Sequence, residues 1–175
     1  IWASGADGTL GRITPDDAAT TFLLQLDQLS GYPRGAALDR YGHLWVSTWR
    51  GICVGDAAAA AGSNFCRQFI REVGGQFVGF VTGVLRSSDD SILVAGSGEM
   101  LRLEPQPSLD APPAISRIGK AQGLACGELV MVLEDRFGSL WATDSRNGLW
   151  RIALRGIRSF GPSEVAHALK IDALQ

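Results

Sequence analysis

Short apolar runs recur along the whole chain and are separated by polar clusters rich in Gly, Asp and Ser. That spacing predicts β-strands joined by tight turns. Leu44-Trp45-Val46 and Val130-Met131-Val132-Leu133 are apolar at consecutive positions. A strand half open to water would alternate, so both faces of these strands are expected to be buried between neighbouring sheets. The main helical rival is Pro162 to Leu174.

The runs belong to a repeat. One copy reads Ala37-Leu38-Asp39-Arg40-Tyr41-Gly42-His43-Leu44-Trp45-Val46-Ser47-Thr48, followed by Gly51-Ile52-Cys53-Val54. Another reads Val132-Leu133-Glu134-Asp135-Arg136-Phe137-Gly138-Ser139-Leu140-Trp141-Ala142-Thr143, followed by Gly148-Leu149-Trp150-Arg151-Ile152. A weaker copy runs from Val84 through Leu93 to Leu103, and the chain opens in mid-copy at Ile1-Trp2-Ala3-Ser4. Anchored on Trp2, Trp45, Leu93 and Trp141, the spacings are 43, 48 and 48 residues. A period of about 40–50 residues matches one four-stranded blade of a β-propeller. The fold class expected is therefore all-β: a single domain or fragment over residues 1–175, with about four antiparallel four-stranded blades. Fourth strands are expected at Thr20 to Leu26, Phe65 to Ile70, Ala114 to Ile118 and Gly156 to Phe160, and the Trp residues are expected chiefly to pack blade on blade.

Composition agrees with this reading. Hydrophobic residues make up 46% of the 175 and charged residues 19%, enough apolar material for a core. The 22 glycines show no G-X-Y period and are accounted for by turns. With a formal charge of −2 there is no basic stripe for a polyanion, so nucleic acid is excluded as an expected partner. The longest apolar stretch, Phe77 to Leu85, is far short of the ~18 residues of a membrane span. The opening Ile1-Trp2 reads as an excised or processed segment of a longer protein.

The quoted residues resemble the two-component regulator propeller repeat, whose pattern is approximately G-L-P-x-N-x-V, then I-x-E-D-x-x-G-x-L-W-I-G-T, then G-L-x-R-Y. Gly123-Leu124, Leu133-Glu134-Asp135, Gly138, Leu140-Trp141, Thr143, Gly148-Leu149 and Arg151 carry the match. The Asp39 copy fits well, and the Ile1 and Leu93 copies are degenerate. The resemblance implies a periplasmic or otherwise extracytoplasmic, ligand-sensing segment of a bacterial signalling receptor. It also implies a membrane-anchored parent carrying a kinase or cyclic-dinucleotide output domain. Family rings are usually larger, which makes this chain part of a bigger propeller. The other resolution is a closed ring of four, with the strand opening at Gly161 to Val165 completing the N-terminal blade.

Propeller geometry places the loop entering each innermost strand and the loop between second and third strands on one face. The ligand-binding candidates there are Tyr32, Arg34, Trp49, Arg50, Gln76, Glu99, Glu128, Asp144, Arg146 and Asn147. Trp49 beside Arg50 is the sharpest pair, an aromatic plane next to a guanidinium that suits a sugar or a carboxylated ligand. The expected partner is a small molecule, carbohydrate among the options, or a protein for which the propeller is a scaffold; homo-oligomers are also open. No catalytic set is legible. His43 and His167 lack companions at triad or metal spacing, and Glu134-Asp135 read as turn-forming. No cofactor, metal or enzymatic activity is expected. Cys53 and Cys66 fall on adjacent antiparallel strands, where a disulfide or two reduced thiols are both open, and Cys126 is left over.

Overall fold

The computed structural model describes residues 2–4, 9–14, 17–25, 32–59, 63, 65–74, 76–77, 81–96, 98–146, 148–153 and 156–161. The strands are β1 Trp2–Ser4, β2 Thr9–Thr14, β3 Asp17–Gln25, β4 Pro33–Leu38, β5 His43–Thr48, β6 Gly51–Asp56, β7 Gln68–Ile70, β8 Glu72–Val73, β9 Gln76–Phe77, β10 Gly83–Arg86, β11 Ile92–Ala95, β12 Met100–Glu104, β13 Ala114–Ile118, β14 Leu129–Glu134, β15 Leu140–Asp144, β16 Gly148–Ala153 and β17 Gly156–Phe160. They form three four-stranded sheets, β4 to β7, β10 to β13 and β14 to β17, each a meander in chain order, preceded by a three-stranded sheet β1 to β3. Every pairing within them is antiparallel. The helical content of the described residues is one 3-10 turn, Lys120–Gln122.

Successive sheets stack face to face, and each interval between them holds a layer of apolar side chains. Leu10 of the first sheet meets Leu44, Val46, Cys53 and Phe65 of the second. The opposite face of the second sheet sends Trp45, Ile52 and Val54 against Ile92, Val94, Leu101 and Leu103 of the third. Leu93, Ala95 and Met100, from the other side of the third sheet, pack on Val132, Ala142, Trp150 and Ile152 of the fourth. Alternate residues of one strand thus serve two different layers, which is why β5 is buried at all six positions.

Turn chemistry sets the copies in register. Between the first two strands of a blade, Asp39 accepts from the N–H groups of Tyr41 and His43, both at 2.9 Å, and Asp135 accepts from Phe137 and Ser139 at the same distance. In both turns the other carboxylate oxygen takes the indole N–H of a Trp six residues on, Trp45 or Trp141, at 2.9 Å. The degenerate third copy has Ser87 and Leu93 at these places, so donor and acceptor are lost together. The left-handed position of this turn is Gly42 (φ 86°), Asp90 (φ 69°) and Gly138 (φ 75°) in the three copies. Asp is one of the few non-glycine residues that visits this region readily. Where the third strand begins, Gly51 and Gly148 are obligatory for space: a Cβ there would lie 2.4 Å from the Ile70 carbonyl oxygen and 2.3 Å from that of Phe160.

The structure corrects several expectations. β14 is not buried on both faces: Val132 is covered, whereas Val130, Met131 and Leu133 are exposed. The reason is that Met131 and Leu133 point away from the third sheet, and among the described residues no further sheet follows on that side. The strand expected at Phe65 to Ile70 is Gln68–Ile70, because Phe65 leaves the ladder to fill the core under Gly55. The strand expected at Thr20 to Leu26 is Asp17–Gln25. The small hairpin of β8 and β9 was not anticipated. Pro162 to Leu174, the strand opening at Gly161 to Val165 beyond its first residue, and His167 lie outside the described residues. No helix among the described residues is long and apolar enough to cross a membrane.

Candidate functional site

The antiparallel register decides which loops share an end. Pro33 pairs with Thr48 and Thr48 with Gly51, so the entry to β4 and the turn from β5 to β6 lie together. Leu38 pairs with Leu44 at the opposite end, where Tyr41 and His43 sit. Buried Thr48 shapes the first of these ends. Its hydroxyl donates to the Gly51 carbonyl at 3.0 Å and accepts from the Arg50 N–H at 3.2 Å, which turns Trp49 and Arg50 outwards.

Four of the expected ligand-binding residues lie at this end, and three of them touch. The guanidinium of Arg34 lies over the Trp49 ring at 4.4 Å, and Tyr32 meets the same ring edge-on at 6.4 Å and 83°. Trp49 nevertheless remains 44% exposed and Tyr32 52% exposed. Large aromatics held outwards in this way carry a desolvation advantage for any ligand that covers them. Among the described residues neither Arg34 nor Arg50 is paired with a carboxylate. The cluster therefore offers an aromatic surface with two cations at the same end that no described carboxylate neutralises, an arrangement that receives a carboxylate or an electron-rich ring substituent.

The remaining candidates are spread over the neighbouring blades and several are occupied. Glu99 forms an ion pair with Arg117, which also donates to the Val73 carbonyl, so this carboxylate ties the β8–β9 hairpin to the third blade. Asp144 is buried and accepts from the N–H groups of Gly127 at 2.8 Å and Arg146 at 2.9 Å, with the Trp150 indole at 3.4 Å. It pins a turn. Glu128 is half-buried and its carbonyl accepts from the Ser145 N–H at 3.0 Å. Gln76 pairs with Val73 in the hairpin, Arg146 is exposed, and Asn147 lies outside the described residues.

The structure joins Cys53 and Cys66 in a disulfide, with Cα atoms 5.4 Å apart, and leaves Cys126 free. Burial, with Asp144 nearby, pushes the Cys126 thiol above its ordinary range and keeps it protonated. His43 is buried, with Nδ1 3.2 Å from Asp39 Oδ2. Asp135 forms the turn, as read. Glu134 reaches back to the third blade: it accepts from the Ser87 hydroxyl at 3.0 Å and from the Ser88 N–H and hydroxyl at 2.7 and 2.6 Å. Burial works to raise the Glu134 carboxyl, but these hydrogen bonds outweigh it and hold the group below its ordinary value. Sequence reasoning missed this clamp, since nothing local marks a bond to residues 46 and 47 positions away. No group of three His, Cys, Asp or Glu residues among the described ones could hold a metal.

No family model and no curated protein matches the chain. Solved structures do. The extracellular domain of a hybrid two-component system from Bacteroides thetaiotaomicron aligns at TM-score 0.63 and 14% identity, over 93% of this chain and 23% of that one. A second extracellular domain from the same organism, of a one-component system, gives 0.67 and 18%, over 92% and 22%. A catalytically inactive virginiamycin B lyase from Staphylococcus aureus, solved with quinupristin, gives 0.64 and 16%, over 89% and 49%. The chain thus spans less than a quarter of the length of the two extracellular domains. At these identities the likeness establishes the fold, a propeller-like stack of four-stranded blades.

Proposed function

We propose that this chain is a sensory segment of an extracytoplasmic bacterial receptor, an arc of a larger propeller that recognises a ligand without transforming it. The observation that carries the reading is the Tyr32, Arg34, Trp49 and Arg50 cluster, built on a rigid blade and aimed out of it. The similarity to extracellular domains of two-component and one-component systems supports it. So does the open face of Met131 and Leu133, which on the blades before it is covered by the next sheet. A further blade seated there would enlarge the ring. The ligand class is a small carboxylate or an acidic sugar: Trp49 supplies the stacking surface, and Arg34 and Arg50 supply the charge. The parent is anchored in the membrane, and binding favours one arrangement of propeller and output domain over another.

A thermal-shift screen of the chain against sugars, uronic acids and small carboxylic acids is the test. A rise in melting temperature with one class, abolished in Trp49→Ala and reduced in Arg34→Met, is expected. A correctly folded protein that no compound stabilises would overturn the ligand-sensing reading.

A further inference from the structure

On the face opposite the Trp49 cluster, a cleft of about 460 Å³ opens between the second and third blades. Its volume lies within the range of small-molecule sites. One wall is built by Asp56, Ala59 and Arg67 at and beyond the end of β6, the other by Leu109 and Asp110 between β12 and β13, and Ala59 and Leu109 supply its apolar lining. The walls are braced. Arg67 N–H donates to the Val54 carbonyl at 3.0 Å, Cys66 is bonded to Cys53, and the Gln68 amide crosses between the blades to the carbonyls of Leu109 and, at 3.0 Å, Ala111.

Three charged side chains line this space, Asp56, Asp110 and Arg67. No ion pair joins the guanidinium to either carboxylate, although all three border the same cleft. Opposite charges therefore face one cavity without pairing; Asp56 Oδ1 accepts from the Ala58 N–H at 2.8 Å, a neutral donor that leaves the carboxylate charge unbalanced. An anion entering would meet two carboxylates, and a cation would meet a guanidinium. A neutral polyol would strip water from all three without returning charge, which is unfavourable. The molecule that matches is one carrying both signs a short distance apart.

We infer that this cleft binds a small zwitterion, an apolar α-amino acid or a dipeptide. Its carboxylate lies in the fork of Arg67, its ammonium between Asp56 and Asp110, and its side chain against Ala59 and Leu109. This site is independent of the Trp49 cluster and of the proposed sensory role.

Isothermal titration of the full 175-residue chain with L-leucine, L-phenylalanine and glycyl-L-leucine tests it, with N-acetyl-L-leucine, L-leucinamide and glucose as comparators. Saturable binding of at least one zwitterion is expected, with the capped compounds at least tenfold weaker and glucose silent. Arg67→Met is expected to weaken binding at least tenfold and Asp110→Asn severalfold, while Trp49→Ala leaves it unchanged. Both altered side chains are exposed, and Arg67→Lys, keeping the charge without the fork, gives an intermediate loss if the methionine variant does not fold. No binding of any zwitterion to the folded protein, equal binding of a capped form or glucose, or binding lost in Trp49→Ala but kept in Arg67→Met would each overturn the inference. The last result would move the ligand to the other face and leave the sensory reading standing.

Discussion

The second and fourth blades are written in nearly the same residues and live in different surroundings. Each has an Asp that receives the indole N–H of a Trp six positions later at 2.9 Å. Trp45 is 2% exposed because the third blade covers it. Trp141 is half-buried, covered by its own sheet: Phe160 stacks on it at 5.9 Å, and Arg151 lies across it at 5.6 Å while donating to the Ser139 hydroxyl. Beside Trp45 stand the small residues Gly35 and Ala37, and the matching positions next to Trp141 are Met131 and Leu133. The blade is therefore a local unit that closes its own turns, whereas the worth of its outward face depends on a neighbour.

This contrast can be broken by substitution. Trp45→Ala removes a fully covered side chain and is expected to cost about 3–5 kcal/mol, read as a fall in the denaturant midpoint. Trp141→Ala should cost clearly less, and equal losses would show that the fourth blade is as well covered as the second. Cys66→Ser opens a cross-link spanning 13 residues, for which about 3 kcal/mol is expected under oxidising conditions. Added reductant should erase the difference from the parent chain, and full alkylation of all three cysteines before reduction would exclude the bond.

The turns of the two blades differ in the same sense. Asp39→Ala leaves the buried Trp45 indole and the His43 N–H without their acceptor, a loss of about 2–3 kcal/mol in chemical denaturation. Asp135→Ala, at a more open turn, should lose less. The smallest effect is the clamp. Glu134 is held below its ordinary value near 4.5, so it stabilises the fold at pH above that value and this contribution fades as pH falls through the lowered one. Glu134→Gln should flatten the loss of stability below about pH 5 relative to the parent. An unchanged acid profile would mean that the Ser87 and Ser88 contacts carry no net energy.

Much of the site was legible because its parts are neighbours in strand register. The loop at Trp49-Arg50 and the entry at Tyr32 to Arg34 follow from a meander of known polarity, and the structure places both at one end of the second blade. Asp144 and Glu99 were chosen by the same logic. They turned out to be engaged, Asp144 by the N–H groups of its own turn and Glu99 by Arg117, because a loop position does not reveal whether a carboxylate looks outwards or inwards.

What the chain determines by itself is the blade: apolar runs of strand length, glycine or Asp where the backbone turns left-handed, and a Trp paired with an Asp six residues before it. These are interactions between residues close in sequence, so side-chain chemistry and backbone sterics settle them locally. The tertiary structure alone decides which face of β14 is covered, that Glu134 grips Ser87 and Ser88, and that Gln68 braces Leu109 to frame a cleft. Those contacts join residues more than 40 positions apart, and they exist because twisted sheets stack at a spacing set by the volume of the side chains between them.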